Sequence, residues 1–155
     1  QPTVKPAPQA PERPATTSQG WVTVGGKWRY VGNDGAYATG WIKVKGTWYY
    51  LHGNGDMATG WLKLGKTWYY LKGSGAMATG WLKLGKTWYY LKGSGAMATG
   101  WYQVGRTWYY SNGSGAMQAN RWIGNYYVKS SGAMATSQWI GRYHVNASGK
   151  WDKTR

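Results

Sequence analysis

Apolar and polar positions along this chain switch in short bursts, too short for a helical period. In "WLKLGKTWYYLK" at 61–72, two strand-like runs flank Gly65-Lys66, a two-residue connection with Gly first, which predicts a hairpin closed by a type II′ turn. With those two residues at the turn, Leu64 faces Thr67, Lys63 faces Trp68, Leu62 faces Tyr69 and Trp61 faces Tyr70. Alternation then sends Trp61, Lys63, Trp68 and Tyr70 to one face, and Leu62, Leu64 and Tyr69 to the other. The first face is rich in rings. The second is suited to packing, so Tyr49, Tyr69, Tyr89 and Tyr109 are expected to pack there, while "GSGAMATG" reads as the loop to the next hairpin.

The hairpin recurs. Gly-Trp pairs fall at 20–21, 40–41, 60–61, 80–81 and 100–101, a second Trp follows each first one by seven residues, and the twenty residues at 60–79 return unchanged at 80–99. The last two units, "WIGNYYV" and "WIGRYHV", are shorter but keep the register: Ile123 faces Tyr126, Trp122 faces Tyr127, and Trp139 faces His144. Two cross-strand pairs, including the second Trp, have been cut out. One hairpin of this size is marginal in water, so the units must stack, and atypical end units suit a capped array. The expected fold is all-β, a solenoid of stacked hairpins over 20–155. Residues 1–19 hold all five prolines and read as an extended linker. No charged start, apolar core and cleavage site marks a secretory signal, so the chain is expected to begin inside a larger protein.

Composition sharpens this picture. Thirteen Trp and fourteen Tyr stand beside no Phe, so nearly every ring carries an N–H or O–H that tolerates a wet surface. With no Cys, neither disulfides nor Cys-based metal sites are available, and no apolar run approaches the roughly 18 residues of a membrane span. Nineteen Lys and Arg against four acids give a formal charge of +15, which favours polyanionic partners. Glu12, Asp34, Asp56 and Asp152 fall singly, and His52 and His144 lie in different units, so no catalytic residues, metal site or cofactor are expected.

The stretch "GWLKLGKTWYYLKGSGAMATGW" resembles the choline-binding repeats of surface proteins and wall hydrolases from pneumococci and their phages, and the resemblance runs from Gly20 to about Trp151. It implies a left-handed β-solenoid and an extracellular, wall-attached, non-catalytic module whose partner is the choline of teichoic acid. It also implies cages of two Trp from one repeat and a Tyr from the next, with a Met nearby. Carried over, these are Trp21, Trp28, Tyr50 and Met57; Trp41, Trp48, Tyr70 and Met77; and Trp61, Trp68, Tyr90 and Met97. Two more follow, Trp81, Trp88, Tyr110 and Met117, and Trp101, Trp108, Tyr127 and Met134. Each Met either lines a cage or fills the gap between hairpins. Past these the array is expected to lack a cage, because Trp122 has no second Trp and His144 stands where a Tyr would complete one.

Ring faces suit a quaternary ammonium, each contributing about 0.5–2 kcal/mol. The repeated lysines fit the phosphates of such a polymer or simply maintain solubility. The alternative reading is a repeat module for α-glucan or another polysaccharide, and basic grooves with stacking rings also suit single-stranded nucleic acid, which is disfavoured here. Competition by choline, oligosaccharide or salt separates the three. Oligomeric state is left open.

Overall fold

A computed structural model describes residues 19–155, and the expected linker lies outside them apart from Gln19, which has no regular structure. The described residues contain strands and turns and no helix. They divide into two compact units, one ending at Ala78 and the other running from Thr79 to Arg155.

The first unit holds three antiparallel hairpins: β1 (Gly20–Val24) with β2 (Lys27–Val31), β3 (Gly40–Val44) with β4 (Thr47–Leu51), and β5 (Gly60–Leu64) with β6 (Thr67–Leu71). The second holds β7 (Gly80–Leu84) with β8 (Thr87–Leu91), β9 (Gly100–Val104) with β10 (Thr107–Ser111), β11 (Arg121–Ile123) with β12 (Tyr126–Val128), and β13 (Gln138–Ile140) with β14 (Tyr143–Val145). A final strand, β15 (Trp151–Thr154), pairs antiparallel with β14 across a bulge at His144/Val145 and was not foreseen from the repeat pattern. The pairing is the expected one, with Trp61 opposite Tyr70, Lys63 opposite Trp68, Trp122 opposite Tyr127 and Trp139 opposite His144.

The turns show why Gly leads them. Gly65 has φ +63° and its follower Lys66 is not in the left-handed region, the φ pattern of type II′. The first two hairpins differ, since Gly25-Gly26 and Lys45-Gly46 each have both φ values positive, the type I′ pattern.

The buried core is narrower than the Leu-bearing face suggested. In the first unit Val31, Leu51 and Leu71 are fully buried, and in the second Leu91, Ser111, Val128 and Val145, each of them the last residue of its hairpin's second strand. Leu51, Leu71, Leu91 and Ser111 each lie opposite a Gly, whose missing side chain leaves room. Leu62 and Leu64 stay half-exposed near the turns. The loop after each hairpin folds back, so that Leu51 bridges Met57 and Leu91 bridges Met97.

Successive hairpins are joined by that same loop. The Met57 N–H donates to Trp28 O at 2.8 Å, and Met77 donates to Trp48 O at 2.9 Å. In the second unit Met117 donates to Trp88 O and Met134 to Trp108 O, both at 2.8 Å. These bonds satisfy carbonyls that no neighbouring strand pairs, and within each unit they fix a hairpin against the loop of the one after it. Met side chains fill the resulting gap: a Cβ placed on Gly132, whose φ is +89°, would collide with Met117 Sδ.

One repeat departs from this plan in two places at once. Tyr102 stands where Leu62 and Leu82 stand in other hairpins, and Ser111 where Leu71 and Leu91 do. Tyr102 Oη and Ser111 Oγ are 2.8 Å apart, with Tyr102 9% and Ser111 0% exposed, so the larger ring and its hydroxyl replace a lost leucine. Burial raises the Tyr102 phenol above its ordinary pKa, opposed by the Ser111 hydrogen bond.

Candidate aromatic cation sites

Each site grows from one hairpin's ring face meeting the opposite face of the hairpin that follows. Trp81 and Trp88 come from the two strands of one hairpin and stand at right angles, their centroids 6.3 Å apart at 90°. Tyr109 of the next hairpin closes on Trp81 at 4.8 Å and 75°. Together with Met117 and Ser131 these rings bound an open concavity of about 310 Å³. Trp101, Trp108, Tyr126, Met134 and Ser148 bound a second, of about 330 Å³. Both are of small-ligand size.

The first unit repeats this geometry. Trp21 meets Trp28 at 6.5 Å and 87° and Tyr49 at 4.8 Å, while Trp41 meets Trp48 at 6.4 Å and 88° and Tyr69 at 5.1 Å. Of the set expected around Trp61 and Trp68, those two belong to the first unit and Tyr90 and Met97 to the second.

The Tyr that contacts the preceding hairpin's Trp is therefore one residue earlier than the Tyr that the resemblance implied. Tyr50, Tyr70, Tyr90, Tyr110 and Tyr127 lie against the Trp of their own hairpin, with centroids of Trp41–Tyr50, Trp61–Tyr70 and Trp101–Tyr110 at 5.1 Å, Trp81–Tyr90 at 4.9 Å and Trp122–Tyr127 at 5.2 Å. Tyr49, Tyr69 and Tyr109 lie on the expected packing face, opposite Ile42, Leu62 and Tyr102, and from there also reach the Trp of the preceding hairpin. The reason is geometric: a ring face can be closed by the next hairpin only with that hairpin's opposite face, whose side chains have the other parity.

The second Trp of each five-residue-strand hairpin remains exposed, Trp88 at 39%. A lysine directly across the hairpin lies over it in three repeats: Lys43 Nζ is 5.7 Å from the Trp48 ring centroid, Lys63 Nζ 5.7 Å from Trp68, and Lys83 Nζ 5.6 Å from Trp88. Gln103 takes that position opposite Trp108, and Thr23 opposite Trp28.

The end hairpins close differently. Arg29 occupies the place of the third-ring Tyr in the first hairpin, 3.0 Å from Asp56 and over Tyr37 at 5.0 Å. In the last hairpin His144 Nδ1 lies 2.7 Å from Asp152, and Trp139 is covered by Arg155 at 4.4 Å and Lys153 at 5.9 Å. Among the described residues no cluster of His, Cys, Asp and Glu could hold a metal, and no helix is long and apolar enough to cross a membrane.

Perpendicular rings around an open corner, with a thioether beside them, offer π faces to a bulky cation. This defines the class as a hairpin-repeat module with aromatic cation cages. Family profiles described as the choline-binding repeat match residues 18–59, 38–80, 58–102 and 78–122, with a second such profile at 116–151, and the chain belongs to that family.

No match was found among curated protein sequences. Among solved structures the chain is similar to CbpJ of Streptococcus pneumoniae, at 47% identity and TM-score 0.80, over 87% of this chain and 48% of that one. It is also similar to choline binding protein F of the same species, crystallised with a peptidoglycan analogue, at 46% identity and TM-score 0.82, over 88% and 47%. The modular autolysin LytC of that species, in complex with a synthetic peptidoglycan ligand, matches at 36% identity and TM-score 0.71, over 88% and 33%. The chain thus spans about half the length, or less, of these relatives.

Proposed function

We propose that this chain is a non-catalytic attachment module, extracellular and wall-associated, that holds choline or phosphocholine groups of teichoic acid in its inter-hairpin cages. The carrying observation is the cavity of Trp81, Trp88, Tyr109 and Met117: three rings and a thioether around a space of small-ligand size. The proposed cages are Trp21, Trp28, Tyr49 and Met57; Trp41, Trp48, Tyr69 and Met77; Trp81, Trp88, Tyr109 and Met117; and Trp101, Trp108, Tyr126 and Met134. Several weak cages on one repetitive polymer raise avidity by roughly 10²–10⁴ over a single one. Exposed cations at hairpin tips, Lys66, Lys86 and Arg106, attract the polymer's phosphates. Any catalysis in a protein carrying this module belongs to residues outside it, and LytC, an autolysin, pairs such repeats with a longer chain.

Choline bound between hairpins exists only when both are folded, so it raises the melting temperature. Millimolar choline is expected to do this and malto-oligosaccharide is not. A shift with the oligosaccharide and none with choline overturns the proposal in favour of a glucan module.

A further inference from the structure

The sixth hairpin, β11–β12, was expected to end the series of cages because its shortening removed the second Trp. The structure brings a ring from the tail to this hairpin. In four repeats the loop Met donates its N–H to the carbonyl of the preceding hairpin's second Trp. At the sixth hairpin the same bond runs from Trp151 N–H to the turn carbonyl of Asn125, at 2.8 Å. Trp151 thus holds the backbone position of Met57, Met77, Met117 and Met134, but presents an indole.

Its neighbours complete a corner. Tyr143, the first residue of β14, occupies the place that Tyr126 has in the preceding hairpin and lies 5.9 Å from Trp122 at 84°. The Trp151 ring lies 5.9 Å from Tyr143 at 86°. Tyr143 is 39% and Trp151 43% exposed, comparable with Trp88 and Trp108 at 39% in the regular cages. The tail's own cations Lys153 and Arg155 lie over Trp139, a different ring. We propose that Trp122, Tyr143 and Trp151 form a further site for a quaternary ammonium, in which β15 supplies the wall that the shortened hairpin lost. The site rests on the choline reading above and extends it to the end of the array, with Tyr143 where His144 had been expected.

The test is calorimetric titration of the chain and its variants with choline chloride. Trp151→Ala and Trp151→Met each keep the backbone N–H that bonds Asn125, and each is expected to bind one choline fewer than the parent, as is Trp108→Ala in a regular cage. If Trp108→Ala loses one site while both Trp151 variants keep the parent's number, the terminal site is overturned and the choline reading stands. If the parent takes up no choline, both fall. Should circular dichroism show the Trp151 variants unfolded, a parent crystal soaked in choline decides: density bounded by Trp122, Tyr143 and Trp151 supports the site, and density confined to the regular cages refutes it.

Discussion

Replacing Tyr102 and Ser111 separately and together gives a stability cycle whose sign is set by the structure. Tyr102→Phe removes only the hydroxyl and leaves Ser111 Oγ, at 0% exposure, without its 2.8 Å partner, a loss of about 1–3 kcal/mol. Tyr102→Leu costs more, because the ring also stacks on Tyr90 at 5.5 Å and on Tyr109 at 6.1 Å, pairs worth about 0.5–1.5 kcal/mol each. Ser111→Leu alone forces a larger side chain against the intact Tyr102, costing about 1–3 kcal/mol. The double variant restores the Leu/Leu combination of the repeat before it, Leu82 and Leu91, and buries no unpaired hydroxyl. It should therefore lie within about 1 kcal/mol of the parent instead of showing the summed loss, a coupling of at least about 2 kcal/mol. Urea unfolding followed by Trp fluorescence measures all four proteins at constant slope. Additive losses in the double variant would refute the view that the two replacements compensate each other.

Choline affinity at the cage of Trp81, Trp88 and Tyr109 should rise about two- to tenfold on Lys83→Gln, because the ammonium 5.6 Å from the Trp88 centroid repels a bound cation, and titration calorimetry reads the change. The charge-tip variant Lys66→Gln/Lys86→Gln/Arg106→Gln should keep free-choline affinity but lose retention on anionic wall polymer at low salt, with the difference vanishing near 1 M salt. Alkali should weaken the parent more than the Tyr102→Leu/Ser111→Leu variant. The folded Tyr102 pKa is raised, so its contribution is complete below the ordinary value of about 10 and is lost as pH rises through the folded value, as paired urea titrations would record.

The hairpin register was legible in the sequence because turn glycines and side-chain parity determine it locally, down to Trp122 opposite Tyr127 in a shortened unit. The contacts between the two Trp of one hairpin were legible for the same reason, since both come from that hairpin. The third ring was not. Whether Tyr109 or Tyr110 meets Trp81 depends on how one hairpin lies on the next, a relation that no local pattern encodes; Tyr109 keeps its expected neighbour Tyr102 and reaches Trp81 as well. Trp151 was missed for a related reason: without the Met-like bond to Asn125 it reads as a stray tail residue. A signal was present, because "SGKW" at 148–151 aligns with "SGAM" at 131–134. The Tyr102/Ser111 pair could likewise have been noticed as two simultaneous departures in one repeat.

The proposed enclosure of the choline head group by rings from two consecutive hairpins is tested directly by a crystal of the chain grown with choline. Density for a trimethylammonium group enclosed by Trp81, Trp88 and Tyr109, with Met117 beside it, is the predicted result. Rings left bare at saturating choline, or a head group seated against Tyr110 on its own hairpin, would contradict it.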